Sequence, residues 1–504
     1  MAVDLRLVLP GTTAAPLHGL AGSRAIEAQA CARAGDFTLM QRAGTDAARL
    51  ALARWPHARR VWVACGPGNN GGDGLVMARC LHQLGRQVTV THLSGRGTVP
   101  ADAQRALAQA VQAGVTFGDA PAPGAVDLAV DALLGLGQDR PPGEAVLALI
   151  DALHACQAPI LALDLPTGLA ADSGQTLGEH GVRASATLSL LTLKPGLFTA
   201  DGRDHAGEIW WSTLGATLDG AAPDALLLGA DEARRLPPRP HAGHKGAFGD
   251  LWVLGGAAGM QGAAVLAARA ALAAGAGRVY LATLADTAVH ALPGAPAALM
   301  HRDTHALRQP ERLAAATVVA GCGGGSDMGA ELPAPIRHAA RLVLDADALN
   351  AVAAEPALAT ALVARGHAAR PTVLTPHPLE AARLLDSSTR AVQADRLAAA
   401  RALARRFGAV VVLKGSGSVI ATPEGPPWIN ATGNARLASA GTGDVLAGWL
   451  GGRWAALGDA TDAAARAARE AVWRHGLAAD RAGPHVLIAD SLIEAMLAST
   501  ADAA

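Results

Sequence analysis

Arg60-Val61-Trp62-Val63-Ala64-Cys65-Gly66-Pro67-Gly68-Asn69-Asn70-Gly71-Gly72-Asp73-Gly74 reads as a buried strand that passes through a glycine-rich turn into a helix. Gly66, Gly68 and Gly71 satisfy the G-x-G-x-x-G dinucleotide fingerprint. The acidic residue that should follow about 20 positions on, to hold a ribose hydroxyl, is missing: no Asp or Glu stands between Asp73 and Asp102. Instead the loop packs Asn69, Asn70 and Asp73 among glycines. Glycines let backbone N–H groups approach an anion, a helix N-terminus favours negative charge, and amide oxygens beside a carboxylate suit a hard cation. The plainer alternative is a tight turn with Asn in left-handed conformations.

Outward from this unit, short Val/Leu-rich runs alternate with Ala-rich helical stretches, the pattern of parallel sheets covered by helices. Strands are expected at Arg60–Cys65, Gln87–Leu93, Leu128–Leu134, Pro159–Leu165 and Ala186–Leu193, and helices at Leu75–Leu84, Ala101–Ala113 and Glu144–Ala155, after a helical lead at Arg24–Arg54. Periodicity breaks between Thr217 and His244, where the run Pro237-Pro238-Arg239-Pro240 marks a linker. The pattern restarts with strands at Asp250–Leu254, Arg278–Thr283, Thr317–Ala320, Arg341–Leu344, Thr372–Leu374 and Val410–Leu413. A chain of 504 residues, at about 100–200 residues per domain, is thus read as two α/β domains, over residues 1–220 and 225–504.

Composition narrows the function classes. A formal net charge of −1, one Tyr and five Phe give little pull on phosphate backbones and little to stack on bases, which argues against nucleic-acid binding. No strongly apolar, uncharged stretch of about 20 residues suggests a membrane span, and Met1 to Gly11 lacks the order of a secretory signal. Cys31, Cys65, Cys80, Cys156 and Cys322 are scattered and free of C-x-x-C spacing, so they read as reduced core or near-core thiols of a cytoplasmic protein. Of 42 basic residues only Lys194, Lys245 and Lys414 are Lys, and Asn69, Asn70, Asn350, Asn430 and Asn434 are the only Asn. A compact ammonium cannot always be replaced by a guanidinium fork, so the surviving Lys mark positions to examine.

Several motifs end strands, where open α/β sheets bind ligands. Val130-Asp131-Ala132-Leu133-Leu134-Gly135-Leu136-Gly137, Leu163-Asp164-Leu165-Pro166-Thr167-Gly168 and Leu193-Lys194-Pro195-Gly196 do so in the first half. In the second half stand His244-Lys245-Gly246, Gly255 to Ala263, Asp345-Ala346-Asp347-Ala348-Leu349-Asn350, Thr375-Pro376-His377-Pro378-Leu379-Glu380 and Leu413-Lys414-Gly415-Ser416-Gly417-Ser418. Last come Asn430-Ala431-Thr432-Gly433-Asn434 and Ala440-Gly441-Thr442-Gly443-Asp444. No Lys is followed by Ser or Thr, so Walker A chemistry is excluded. In Gly441-Thr442-Gly443-Asp444, glycine N–H groups at a helix start form an anion hole for a moving phosphoryl group, and Asp444 is placed to take a proton from a hydroxyl nucleophile. A helix-capping role for Asp444 is the alternative.

The first motif set resembles the NAD(P)HX epimerase domain, with a Rossmann-like fold. The resemblance implies substrate contacts at Asn69, Asn70, Gly71, Gly72 and Asp73, and at Gly135, Leu136, Gly137, Gln138, Asp139, Arg140, Pro141 and Asp164. It also implies K+ held by Asn70, Asp131 and Thr167, and Asp164 as the carboxylate that relays the proton. The family usually has Ser at Thr167; the hydroxyl is kept. The second set resembles the ribokinase-like fold and, within it, the ADP-dependent (S)-NAD(P)HX dehydratases. That implies contacts to the hydrate from Ala263, Gly323, His377 and Asp444, and to the nucleotide from Lys414, Gly415, Ser416, Gly417, Ser418 and Gly443. Asp444 would be the catalytic base and Mg2+ would bridge the phosphates of ADP. Ala320-Gly321-Cys322-Gly323-Gly324-Gly325 departs from the family's G-P-G-L-G. The expectation is a fused repair enzyme acting on NADHX and NADPHX, with no nucleic-acid or membrane partner, and the bacterial relatives imply a homo-oligomer. Two other readings stay open: a vitamin-precursor kinase sharing the Gly-Thr-Gly-Asp end, and a non-catalytic ligand-binding or scaffold role for the first domain.

Overall fold

The computed structural model describes residues 5–35, 37–94, 99–217, 221–234, 241–285, 296–483 and 487–501. The chain divides into two compact units, Met1–Leu9 with Ala15–Ala225, and Pro10–Ala14 with Leu226–Ala504.

In the first unit one sheet runs in the order Leu5–Leu7, Glu208–Ser212, Ala186–Leu190, Ile160–Leu163, Leu128–Ala132, Arg60–Cys65, Gln87–His92 and Thr116–Phe117. All pairs are parallel except that of Leu5–Leu7 with Glu208–Ser212. Strand alternation distributes the central strand's side chains to two cores. Val61, Val63 and Cys65 join the apolar cluster with the helices Thr38–Arg54 and Asn69–Gln83, while Trp62 and Ala64 face the cluster with Glu144–Ala155. A strand buried on both faces reads as a continuous apolar run, which is why Arg60–Cys65 is legible end to end.

The second unit's sheet runs Met300–His301, Arg278–Thr283, Asp250–Gly255, Thr317–Ala320, Arg341–Leu344, Thr372–Leu374, Val410–Leu413, Ser418–Ala421, Trp428–Asn430 and Ala225–Leu227. Parallel pairing holds up to Val410–Leu413, and the two strands that follow it pair antiparallel. The helix Thr442–Leu457 lies unusually close to Gln261–Ala274: a Cβ at Gly448 would sit 2.0 Å from the Ala267 carbonyl oxygen, and one at Gly452 2.4 Å from that of Ala271. Ala facing Gly at four-residue spacing lets the helices touch through their backbones, and this seats the N-terminus of Thr442–Leu457 over the strand ends.

Three expectations are corrected. The stretch expected to be aperiodic linker contains the strand Ala225–Leu227 and the helix Ala230–Arg234, because a four-residue apolar run suffices to pair with Trp428–Asn430; the Pro237–Pro240 run lies outside the described residues. The helix expected to start at Leu75 begins at Asn69, so Asn69 to Gly74, the last two-thirds of the glycine motif, is helical. Cys31 is exposed rather than near the core, on the face of the helix Leu20–Ala34 that lines a cavity with Glu27; none of the five cysteines is in a disulfide.

Two candidate active sites

The Asn-rich motif is held by close packing. A Cβ at Gly66 would lie 1.8 Å from the Leu133 carbonyl oxygen, and one at Gly71 1.8 Å from that of Gly66, so neither position admits a side chain. The turn brings Asn69, Asn70 and Asp73 to the wall of a cavity of about 690 Å³, together with Gly135, Leu136, Gly137, Gln138, Asp139, Arg140, Pro141 and Asp164. Gly71 and Gly72 pack inward and do not line it; a Cβ on Gly72 would strike Met40.

Asp164 follows the strand Ile160–Leu163 with φ +65°, a left-handed conformation that costs energy for a residue with a side chain. The backbone is held there by its N–H donating to Leu188 O at 2.8 Å, and the side chain by the Leu136 N–H donating to Oδ2 at 3.0 Å. Its other oxygen takes the Lys194 ammonium, which also donates to Leu190 O at 2.8 Å and lies 3.3 Å from Ser189 Oγ. The Lys194 side chain is 1% exposed, so the ammonium is committed to this cage.

Below the cavity, Thr167 donates its hydroxyl to Asp131 Oδ1 at 2.7 Å and its N–H to Oδ2 at 2.8 Å, while the Leu133 N–H donates at 3.2 Å. Burial nevertheless pushes Asp131 up to about 6, because these hydrogen bonds only partly replace lost hydration. Asn70 is buried, yet neither its amide oxygen nor its amide nitrogen has a partner. An amide, a carboxylate and a hydroxyl oxygen suit a hard, weakly charged cation, and an orphaned amide is what such an ion would satisfy.

In the second unit the sheet edge gathers a second constellation. Lys414 Nζ lies 2.6 Å from Asp345 Oδ1, which also accepts from Thr375 Oγ1 at 2.8 Å. The start of the helix Thr442–Leu457 turns through Gly441 at φ +85°, and a Cβ on Gly443 would lie 3.5 Å from Lys414 Nζ, so ammonium and helix N-terminus face the same space. Asp444 stands in the first turn. Burial and the Asp345 charge push its carboxyl up to about 6, against the pull of Cys322 and Lys414. Burial would lower the Lys414 ammonium, but Asp345 and Glu380 outweigh it and hold the group above its ordinary value. Cys322 Sγ and carboxylate oxygens of Asp345 and Asp444 lie within 4.8 Å of one another. A buried thiol with an ammonium already on Asp345 does not make a magnesium cage, which needs oxygen ligands free of other cations.

Gly323, at φ +59°, packs its backbone against Ala263 and Met260, where a Cβ would approach to 2.9 and 2.6 Å. Gly415, Ser416 and Gly417 form the turn between Val410–Leu413 and Ser418–Ala421, with Gly415 at φ +133° against the Arg396 guanidinium. His377 caps the helix Pro378–Leu384: Nδ1 accepts from the Leu379 N–H at 3.1 Å, and Nε2 lies 3.1 Å from Glu380 Oε1. Both ring nitrogens are therefore engaged within its own loop, leaving the half-exposed ring face for a ligand.

Sequence reasoning assigned no role to Arg24, Glu27 and Lys194 in the first cavity, or to Asp345, Thr375 and Glu380 around Lys414. For Lys194 and Lys414 the scarcity of Lys was the available signal. Lys245 shows its limit: the residue is exposed, and only its carbonyl oxygen is embedded, 1.7 Å from a Cβ built on Gly277. Asn430 accepts from Thr432 within its own turn, Asn434 donates to Asp480 of the helix Ala463–Arg481, and Asn350 accepts from Arg383 at 2.6 Å. Among the described residues no helix is long and apolar enough to cross a membrane.

Known proteins align with both halves. Residues 36–196 match the family described as YjeF-related protein N-terminus, and residues 251–497 match NAD(P)H-hydrate dehydratase. The bifunctional NAD(P)H-hydrate repair enzyme Nnr of Escherichia coli (strain K12) is 37% identical over 82% of this chain and 80% of its own length. Its counterpart in Coxiella burnetii is 36% identical over 89% and 90%. A crystal structure of the ADP/ATP-dependent NAD(P)H-hydrate dehydratase from Bacillus subtilis, with ATP and Mg2+, covers 55% of this chain and 98% of its own at 27% identity, with a TM-score of 0.45. With both family matches on one chain in this order, and relatives of more than one-third identity along most of its length, the chain belongs to the bifunctional NAD(P)H-hydrate repair enzymes.

Proposed function

We propose that the first unit interconverts the R and S hydrates of NADH and NADPH, and that the second dehydrates the S form while ADP becomes AMP and phosphate. The convergence of the Asp444 carboxylate, the Lys414 ammonium and the N-terminus of Thr442–Leu457 at one sheet edge carries this reading. The Asp444 carboxylate, ionised above about pH 6, takes the proton of the extra ring hydroxyl as its oxygen attacks the β-phosphorus of ADP and AMP leaves. Lys414 and the backbone N–H groups of Gly441 to Gly443 stabilise the equatorial phosphoryl charge, acting where it develops. The ring nitrogen's lone pair then expels phosphate, and loss of the neighbouring ring proton restores the dihydropyridine. Ala263, Gly323 and His377 bound the hydrate side, and Gly415 to Ser418 the nucleotide side. Because the carboxylates near Lys414 do not form a magnesium site, Mg2+ is expected to arrive on the nucleotide phosphates, whose charge it offsets.

In the first unit the hydroxyl on the hydrated carbon leaves as water and a water returns to the other face, with Asp164 as the carboxylate that accepts its proton. Asn69, Asp73 and Gly135 to Pro141 bound the substrate. Asn70, Asp131 and Thr167 would hold K+, which supplies a positive charge for the buried Asp131 carboxylate; the orphaned Asn70 amide supports this. A homo-oligomeric state is part of the same proposal and is read by light scattering.

The test follows NADH absorbance when the protein meets mixed NADH-hydrate epimers with Mg2+, K+ and either ADP or ATP. Full recovery with ADP is expected. No recovery with either nucleotide sinks the proposal, and recovery of the S fraction alone sinks its epimerase half. A phosphorylated hydrate that accumulates without NADH points to the kinase reading instead.

A further inference from the structure

Epimerisation through loss and return of water needs a proton donor as well as an acceptor, and Asp164 can fill only one of these roles at a time. Charged groups from four separate elements meet in the first cavity: Glu27 from the helix Leu20–Ala34, Asp73 from Asn69–Gln83, Asp164 at the end of Ile160–Leu163, and Lys194. Arg24 lines it too, one turn before Glu27 on the same helix. The single ammonium is spent on Asp164. Glu27 faces the cavity with no hydrogen bond or ion pair to its carboxyl from a described residue. Asp102, Asp139 and Arg140 line the cavity as well, so five carboxylates share a partly closed space with one committed ammonium and two guanidiniums, an excess of negative charge that favours a proton on one of them.

We propose that Glu27 is the general acid of the epimerase site. Resting on the epimerase reading above, this assigns the donor that the reading lacks. The protonated Glu27 carboxyl gives its proton to the hydroxyl on the hydrated carbon, and the C–O bond breaks to release water and a ring cation stabilised by the ring nitrogen. A water then adds to the other face, forming the new C–O bond, and its proton passes to Asp164. One water leaves and one enters; the proton moved from Glu27 to Asp164 returns through solvent, and the reverse epimerisation runs the same steps backward. Burial and the Asp164 charge push Glu27 above its ordinary value even though Lys194 and Arg24 oppose them, the direction a proton donor needs. Asp73, driven up by burial and by both neighbouring carboxylates, is the rival donor.

The full-length protein is given R-enriched NADH hydrate with ADP, Mg2+ and K+. NADH returns in a fast phase from the S form and a slow phase limited by epimerisation. Glu27→Gln is expected to slow the second phase about 100-fold or more, toward the buffer-only rate, with the fast phase and thermal midpoint unchanged. Wild-type slow-phase rates should fall as pH rises and Glu27 loses its proton; that alkaline-side limb should vanish in Glu27→Gln and survive, shifted, in Glu27→Asp. A slow phase within threefold of wild type in Glu27→Gln overturns the assignment, as does loss of the alkaline limb in Asp73→Asn but not in Glu27→Gln. An equal fall of both phases with a lowered midpoint makes the role structural and overturns it too. If the wild type shows no slow phase above buffer, the epimerase reading itself fails.

Discussion

Lys194 in the first unit and Lys414 in the second each bond an aspartate that ends another parallel strand, Asp164 after the adjacent Ile160–Leu163 and Asp345 after Arg341–Leu344, two strands away across Thr372–Leu374. The first pair shuts its lysine away: the side chain is 1% exposed and bonded on three sides, so the ammonium serves the aspartate, which faces the cavity. The second pair does the reverse. Asp345 is 2% exposed and bound by Thr375, while the Lys414 side chain is 19% exposed and leans toward Gly443. There the aspartate serves the lysine, and a third group, Asp444, is the proposed base. One salt bridge thus turns an anion toward its open space and the other a cation, as the proposed reactions require, since a hydrated ring would become positive in the first and a phosphoryl group would carry negative charge in the second.

The strongest way to break this contrast is Asp444→Asn. It should lower dehydration by about 1000-fold or more, with circular dichroism unchanged and epimerisation retained; a near-full rate would move the base elsewhere. Next, Lys194→Met should cost about 3–5 kcal/mol in urea unfolding, because it strands a buried carboxylate. Lys414→Met should cost clearly less and instead raise the KM for ADP about tenfold or more, through the lost phosphate contact. Equal stability losses with an unchanged KM would make the two pairs equivalent structural bridges. The smallest effect is that of pH. A carboxyl raised to about 6 takes its proton earlier on acidification, so dehydration should halve near pH 6 and drop about tenfold by pH 5, with flat rates across that range as the contrary result.

Central parallel strands were legible to the residue. Arg278–Thr283, Thr317–Ala320, Arg341–Leu344 and Thr372–Leu374 are apolar runs because both faces are covered. Edge strands such as Leu5–Leu7, Thr116–Phe117 and Met300–His301 were not, since two or three residues carry no period and only a neighbouring strand makes them strands. The motif glycines announced turns that a side chain would block, and Asp444 could be placed at a helix start from Gly-Thr-Gly-Asp alone. Glu27 could not be found that way. On a helix with little amphipathic contrast it reads as one more solvated charge, and only the packing of that helix against the strand ends turns it into the cavity.

By itself, the order of residues determined two α/β units, their strand-end loops and the residue types available for chemistry, because local periodicity, turn stereochemistry and the scarcity of Lys are properties of the chain. The tertiary structure decided which lysine is buried, which aspartate it neutralises and which carboxyl is left without a partner. Those outcomes depend on desolvation and on distances between residues far apart in sequence: Lys194 lies 30 positions from Asp164, and Lys414 lies 69 from Asp345. No local pattern encodes them.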